Sequence, residues 1–139
     1  MTRMRRTLTK KASAKTDTAR EAGAALRAFF RIAELWGLSV EEQMRLLGVS
    51  ATSTFYHWRK SPPAVLPRDT LERLSYIVGI YKALQILLPD PRSADGWIRK
   101  PNEALVFSGR SALQRMLSGN VADLFVVRQY LDAQRGGWA

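Results

Sequence analysis

Residues 71–88 constrain this chain more than any other stretch. Leu71, Leu74, Val78 and Tyr81 repeat at helical spacing, and Ile77, Ile80, Leu84 and Leu87 widen that stripe until the helix is apolar nearly all round. A helix without a polar face must be covered on most sides. It is also too short to cross a bilayer, because a spanning helix needs roughly 20 apolar residues. The nearly apolar run Tyr76–Leu88 has thirteen residues and is interrupted by Lys82 and Gln85. The segment therefore belongs either at the centre of the molecule or in a subunit interface. Pro62, Pro63 and Pro67 precede it and Pro89-Asp90-Pro91 ends it, as expected of residues that cannot continue a helix.

The rest of the chain repeats the helical period. Ala22, Leu26, Phe29, Phe30, Ala33 and Trp36 form one stripe, with Arg27, Arg31 and Glu34 opposite. Helix starts are expected at Thr18-Ala-Arg-Glu21, Ser39-Val-Glu-Glu42, Asp69-Thr-Leu-Glu72 and Ser111-Ala-Leu-Gln114, each resembling a capping box, with Ser50 as a fifth cap. A short helix is expected around Ala94–Arg99. The last helices are expected near Ser111–Leu117 and Val121–Gln134, separated by Gly119-Asn120. No stretch alternates with period two for long enough to make a sheet, so the fold class is all-α. With 139 residues and 46% apolar content the chain suffices for one domain or two very small ones.

Charge is unevenly spread. Residues 1–20 carry seven bases and one acid, Asp17, and so supply most of the net +10. Residues 1–17 contain few large apolar side chains with which burial could offset ordering entropy, so a disordered basic arm is expected there. Two readings of Arg3, Arg5, Arg6, Lys10 and Lys11 stand side by side: contact with nucleic-acid phosphates, or a solubilising tail.

Between Leu38 and Lys60 the chain reads as a helix-turn-helix. A short helix ends at Leu47, Gly48 suits a left-handed turn, Leu46, Leu47 and Val49 wedge the helices, and a second short helix follows. Met44 stands where the usual pattern has a small residue. In the second helix Phe55 and Trp58 should face the core, leaving Thr52, Ser53, Tyr56, His57, Arg59 and Lys60 outside. Hydroxyls and an imidazole that reach base edges, flanked by bases that reach phosphates, are what a recognition helix presents to operator DNA. The alternative is a helical hairpin that packs and reads nothing. His57, as a single histidine, fits contact with DNA or solvent better than chemistry.

Enzymatic function is not expected. One His and no Cys exclude a multi-histidine or thiolate metal centre, no Gly-rich phosphate loop appears, and no nucleophile stands with a base. No cofactor and no small-molecule substrate are implied. The basic start lacks an apolar segment resembling a secretory signal, and the compartment expected is the cytoplasm.

The second half carries a family resemblance. Leu71-Glu-Arg-Leu-Ser-Tyr-Ile-Val-Gly-Ile-Tyr-Lys-Ala-Leu84, then Ala94-Asp-Gly-Trp97-Ile-Arg-Lys-Pro101-Asn102 and Phe107-Ser-Gly109, resemble Xre/MbcA/ParS-type antitoxins. Ser111–Gly119 and Val126–Gly137 continue the likeness, which covers about residues 25–139. The resemblance implies an Xre-like helix-turn-helix that represses its own operon, and a small helical C-terminal domain that neutralises a RES-fold, NAD-depleting toxin by occluding its pocket. On that reading residues 18–66 hold the helix-turn-helix, 67–92 the central helix and connection, and 93–139 the toxin-binding domain. Asn102, Phe107, Gly109 and Arg110 are candidate toxin contacts, though turn chemistry explains Asn102, Phe107 and Gly109 equally well. Arg128, Tyr130, Arg135 and Trp138 are of the types enriched at interface anchors, so residues 128–139 are expected to enter or cover the toxin pocket; Trp138 folding onto its own subunit is the alternative. A homodimer is expected, with the excess apolar surface of residues 71–88 as its interface or, equally, as the seam between the two parts of one chain. The rival reading is a helix-turn-helix regulator with no toxin, and a third is a helical adaptor binding neither.

Overall fold

Helix α4 (Arg68–Leu87) is the axis on which the other helices hang. The structure, a computed structural model, describes residues 2–136, with side chains described from residue 18 onward. Leu74, Ile77, Ile80, Ala83 and Leu84 of α4 are buried, and the helix packs against α7 (Val121–Gln134), α1 (Thr2–Leu35), α5 (Pro91–Gly96) and α2 (Val40–Leu47). The near absence of a polar face is thus explained by neighbours within one chain. Helices α3 (Thr52–Lys60) and α6 (Ala112–Met116) and a 3-10 turn at Trp97–Arg99 complete the set. Among the described residues the fold is all-α, and the one β-type pairing is an isolated bridge from Pro101 to Ser111.

Two of the expected caps form as drawn. The Ser39 hydroxyl accepts from Glu42 N at 3.1 Å while Glu42 accepts from Ser39 N at 2.8 Å. Ser111 and Gln114 repeat the exchange at 3.1 and 2.9 Å. The other three do not. Helix α1 runs on from Thr2, so Thr18 lies inside it, and the backbone of residues 2–17 is helical rather than a disordered arm. Lack of apolar side chains argues against burial, not against helix: residues 2–22 contain neither Gly nor Pro, and Ala, Lys and Arg are good helix formers. Asp69 sits inside α4, whose cap is Pro67, and its carboxylate takes Arg73 Nε at 2.8 Å instead. Ala51, not Ser50, precedes α3, without a side-chain cap. Asp90 supplies a cap that the proline-rich stop obscured: it accepts from Ser93 N at 3.2 Å, with Pro91 opening α5.

One hydrophobic core runs through the molecule. It joins Ala22, Leu26, Phe29, Ala33 and Trp36 of the first helix and its end to Leu46, Leu47, Phe55 and Trp58, and through α4 to Ile98, Phe107, Leu113, Met116, Leu124, Val127 and Leu131. Arg27, Arg31 and Glu34 are exposed, as the stripe on α1 requires.

Candidate functional site

The front of the molecule is built around the turn at Gly48. Its φ of 71° is left-handed, and Gly48 N and Val49 N donate to Arg45 O and Met44 O at 3.2 and 3.0 Å, closing α2. Met44 is half-buried against the core, so the larger side chain at that position is accommodated. Beyond the turn, α3 is pinned by Phe55, fully buried, and Trp58, with Phe55 meeting Phe30 edge to face at 5.8 Å. Those two anchors turn Thr52, Ser53, Tyr56, His57, Arg59 and Lys60 outward, and all six are exposed. Among the described residues neither Arg59 nor Lys60 is held in an ion pair, which leaves both charges available to an anion. Arg3, Arg5, Arg6, Lys10 and Lys11 have side chains outside the described residues.

Three arginines that pattern reading did not single out bind front to back. Arg73 Nη2 donates to Gly119 O at 2.8 Å, and its Nη1 reaches Arg45 O at 3.5 Å. Arg45 Nη1 donates to Leu117 O at 3.0 Å. Arg99 donates to Trp36 O and Gly37 O at 3.1 and 2.9 Å and stands 3.6 Å from Glu42. Their acceptors are mostly backbone carbonyls, which carry no sequence identity, so only the folded chain reveals the pairing.

At the back the candidate residues divide into two groups. Asn102, Gly109 and Arg110 close one turn: Asn102 N donates to Arg110 O at 3.0 Å, Gly109 N to Asn102 O at 2.9 Å, and the Asn102 side chain accepts from Ala104 N at 2.9 Å. Gly109, at φ 84°, needs the freedom of glycine there. Phe107, expected among the toxin contacts, is only 3% exposed and packs edge to face on Trp97 and Tyr130 at 5.9 and 5.1 Å, which roots the loop in the core. Tyr130 is half-buried and stacks on Trp97 at 6.3 Å. Arg110 is exposed.

Arg128 and Arg135 belong to the second group, beside a groove of about 810 Å³ between α1, α4 and α7. Arg128 is half-buried, pairs with Asp132 at 2.8 Å and lies so close over Gly79 that a Cβ there would fall 1.2 Å from its guanidinium. Arg135 is exposed at the end of α7, and Trp138 lies outside the described residues. Asp123, in the first turn of α7, is held below its ordinary carboxylate range chiefly by the Ser118 hydroxyl at 2.5 Å, and also by Arg115 at 3.0 Å. Among the described residues no group of three or more His, Cys, Asp or Glu could hold a metal, and no helix is long and apolar enough to cross a membrane.

Comparison with known proteins matches both ends. Residues 15–79 match the antitoxin Xre-like helix-turn-helix domain, and residues 83–137 match the antitoxin Xre/MbcA/ParS C-terminal toxin-binding domain. The two matches meet inside α4, so the central helix serves both parts. A relative from Sinorhizobium fredii, the uncharacterized protein y4oB, is 54% identical over 125 residues, which cover 90% of this chain and 94% of its own length. With a helix-turn-helix in front, a toxin-binding domain behind and one helix common to both, the chain belongs to the Xre/MbcA/ParS antitoxin family.

Proposed function

We propose that this antitoxin, as a homodimer in the cytoplasm and without enzymatic activity of its own, neutralises a RES-fold toxin that consumes NAD⁺, and represses its own operon through α3. The single observation that carries the DNA part is the outward set on α3, in which six polar or basic side chains stand exposed on a helix that two buried aromatic residues hold in place. Thr52, Ser53, Tyr56 and His57 meet base edges, while Arg59, Lys60 and the bases of residues 3–11 meet phosphates. Two half-sites about one helical turn apart suit a dimer. The RES assignment rests on the resemblance of residues 71–137 to antitoxins of that pairing, and occlusion of the NAD pocket by residues 128–139 rests on the Arg and Tyr side chains there and on Trp138.

The test is biochemical and has two arms. For the DNA arm, binding to the operon's promoter should weaken steeply with salt. Replacing Arg59 and Lys60 together by Ala should flatten the plot of log affinity against log salt by about 0.9 per lost phosphate contact. For the toxin arm, deleting residues 134–139 should leave folding and DNA binding intact while weakening inhibition of the RES-fold protein encoded beside the gene. A neighbouring gene of another kind, with DNA binding intact, would make the chain a regulator without a RES partner.

A further inference from the structure

Leu105 is 94% exposed, more than any other large apolar side chain described, and it sits at the tip of the loop between Asn102 and Arg110. Single exposed apolar residues are ordinary on protein surfaces. What distinguishes this one is the density of hydrogen bonds that hold its loop backbone. Phe107 N and Ser108 N both donate to Ala104 O at 2.9 Å, and the Ser108 hydroxyl donates to Leu105 O itself at 3.1 Å. The Arg115 guanidinium holds Val106 O, and Phe107 is sunk between Trp97 and Tyr130. Ser108 is held at φ 51°, the one non-glycine residue at positive φ among those described, a conformation that persists only where its surroundings over-determine it. Val65 is nearly as exposed at 83%, yet no hydrogen bond among the described residues ties its loop, Pro62–Leu66, from within.

We propose that Leu105 is the anchor with which the C-terminal domain engages its toxin: a preorganised apolar knob that enters an apolar socket on the partner protein. This rests on the antitoxin reading above, and the loop lies within the residues that match the toxin-binding domain. A knob on a loop whose backbone is already held by hydrogen bonds sacrifices little backbone entropy on docking. Its flanks carry one charge of each sign, Glu103 and Arg110, both exposed, which suits a protein surface with a mixed rim and not a polyphosphate backbone. The knob adds a contact to those expected from residues 128–139, because it belongs to the loop group and not to the groove group.

The test uses the full chain and the purified product of the gene adjacent to its own, the RES-fold toxin of the proposed function. Leu105→Ala should weaken binding about 30-fold, the scale of an anchor residue truncated at an interface. Leu105→Asp should weaken it further, and Leu105→Met, which keeps an apolar side chain of similar volume, should restore near-normal affinity. These differences should persist at about 0.5 M salt, where surface electrostatics is screened. Melting temperature and promoter-DNA affinity should be unchanged in all three, since the side chain touches little of its own subunit. Equal toxin affinity for the unaltered chain, Leu105→Ala and Leu105→Asp overturns the proposal. So does a fall from dimer to monomer in Leu105→Asp, which would make the knob a contact between copies. If the unaltered chain does not bind that protein at all, the RES pairing itself falls, and this proposal with it.

Discussion

Arg73 Nη2 lies 2.8 Å from the carbonyl oxygen of Gly119, joining the helix that supports the turn of the helix-turn-helix to the loop that opens the last helix. The same guanidinium holds Asp69 at 2.8 Å, and Arg73 is 9% exposed. Arg73 thus ties the two functional ends together from a buried position, beside Arg45, Arg99 and the shared core. Arg73→Ala should cost about 2–4 kcal/mol, because it leaves the Gly119 carbonyl without its donor and removes a charged hydrogen-bonding group at once. Arg73→Lys should recover less than half of that, since an ammonium cannot reproduce the planar fork. Urea denaturation, read as a shift in midpoint at constant slope, measures both.

Gly48 faces that same guanidinium. A Cβ on it would stand 2.7 Å from Arg73 Nε and 3.0 Å from Asp69 Oδ2, at a φ of 71° that L-residues adopt with strain. Gly48→Ala should destabilise by about 2 kcal/mol or more, roughly half of it from the backbone alone. Combined with Arg73→Ala, the loss should be smaller than the sum of the two, because one steric conflict disappears with the guanidinium. Strict additivity would mean that the Arg73 side chain contributes nothing to the cost, leaving it to the backbone and Asp69.

Asp123 supplies the pH dependence. Its carboxyl is more acidic in the folded chain than its ordinary value of 3.8, chiefly through the Ser118 hydroxyl and then through Arg115. Such a group adds stability above its unfolded pKa and loses that contribution as pH falls through the lower, folded one. Asp123→Asn should therefore lower the melting temperature at neutral pH, and the gap from the unaltered chain should narrow once the pH drops below 3.8. Melting curves from about pH 7 to pH 3 test this directly, and a gap independent of pH would contradict it.

The sequence shows most clearly what depends on neighbours a few residues away. The boxes at Ser39 and Ser111, the left-handed Gly48 and the inward Phe55 and Trp58 all follow from local spacing, and so does the outward set on α3. Thr18 misled because a capping box only permits a start, and nothing before it stops α1. Asp69 misled because Arg73, four residues on, claims its carboxylate. Phe107 looked like a loop residue among Pro, Asn and Gly, whereas its partners Trp97 and Tyr130 lie on separate elements. Leu105, two residues away, passed unnoticed, because exposure at a loop tip is a property of the folded loop and not of any spacing.

Gly79 offers a way to move Arg128 without deleting it. A methyl group there would collide with the far end of a flexible side chain, which can swing aside, while Ala is favoured over Gly inside a helix by about 1 kcal/mol. Gly79→Ala should thus leave stability within about 1 kcal/mol of the unaltered chain and displace the guanidinium from its seat. If Arg128 contacts the toxin from that seat, Gly79→Ala and Arg128→Ala should weaken toxin binding to a similar degree. Full binding by both variants would remove Arg128 from the toxin interface.

The most direct test of the proposed pairing is to purify the product of the gene adjacent to this one and measure whether it consumes NAD⁺, alone and when titrated with the full chain. Turnover should fall linearly to near zero as the chain reaches a fixed stoichiometric ratio, and the Arg59, Lys60 double alanine variant should inhibit as well as the unaltered chain. Undiminished NAD⁺ turnover at saturating chain would contradict the pairing.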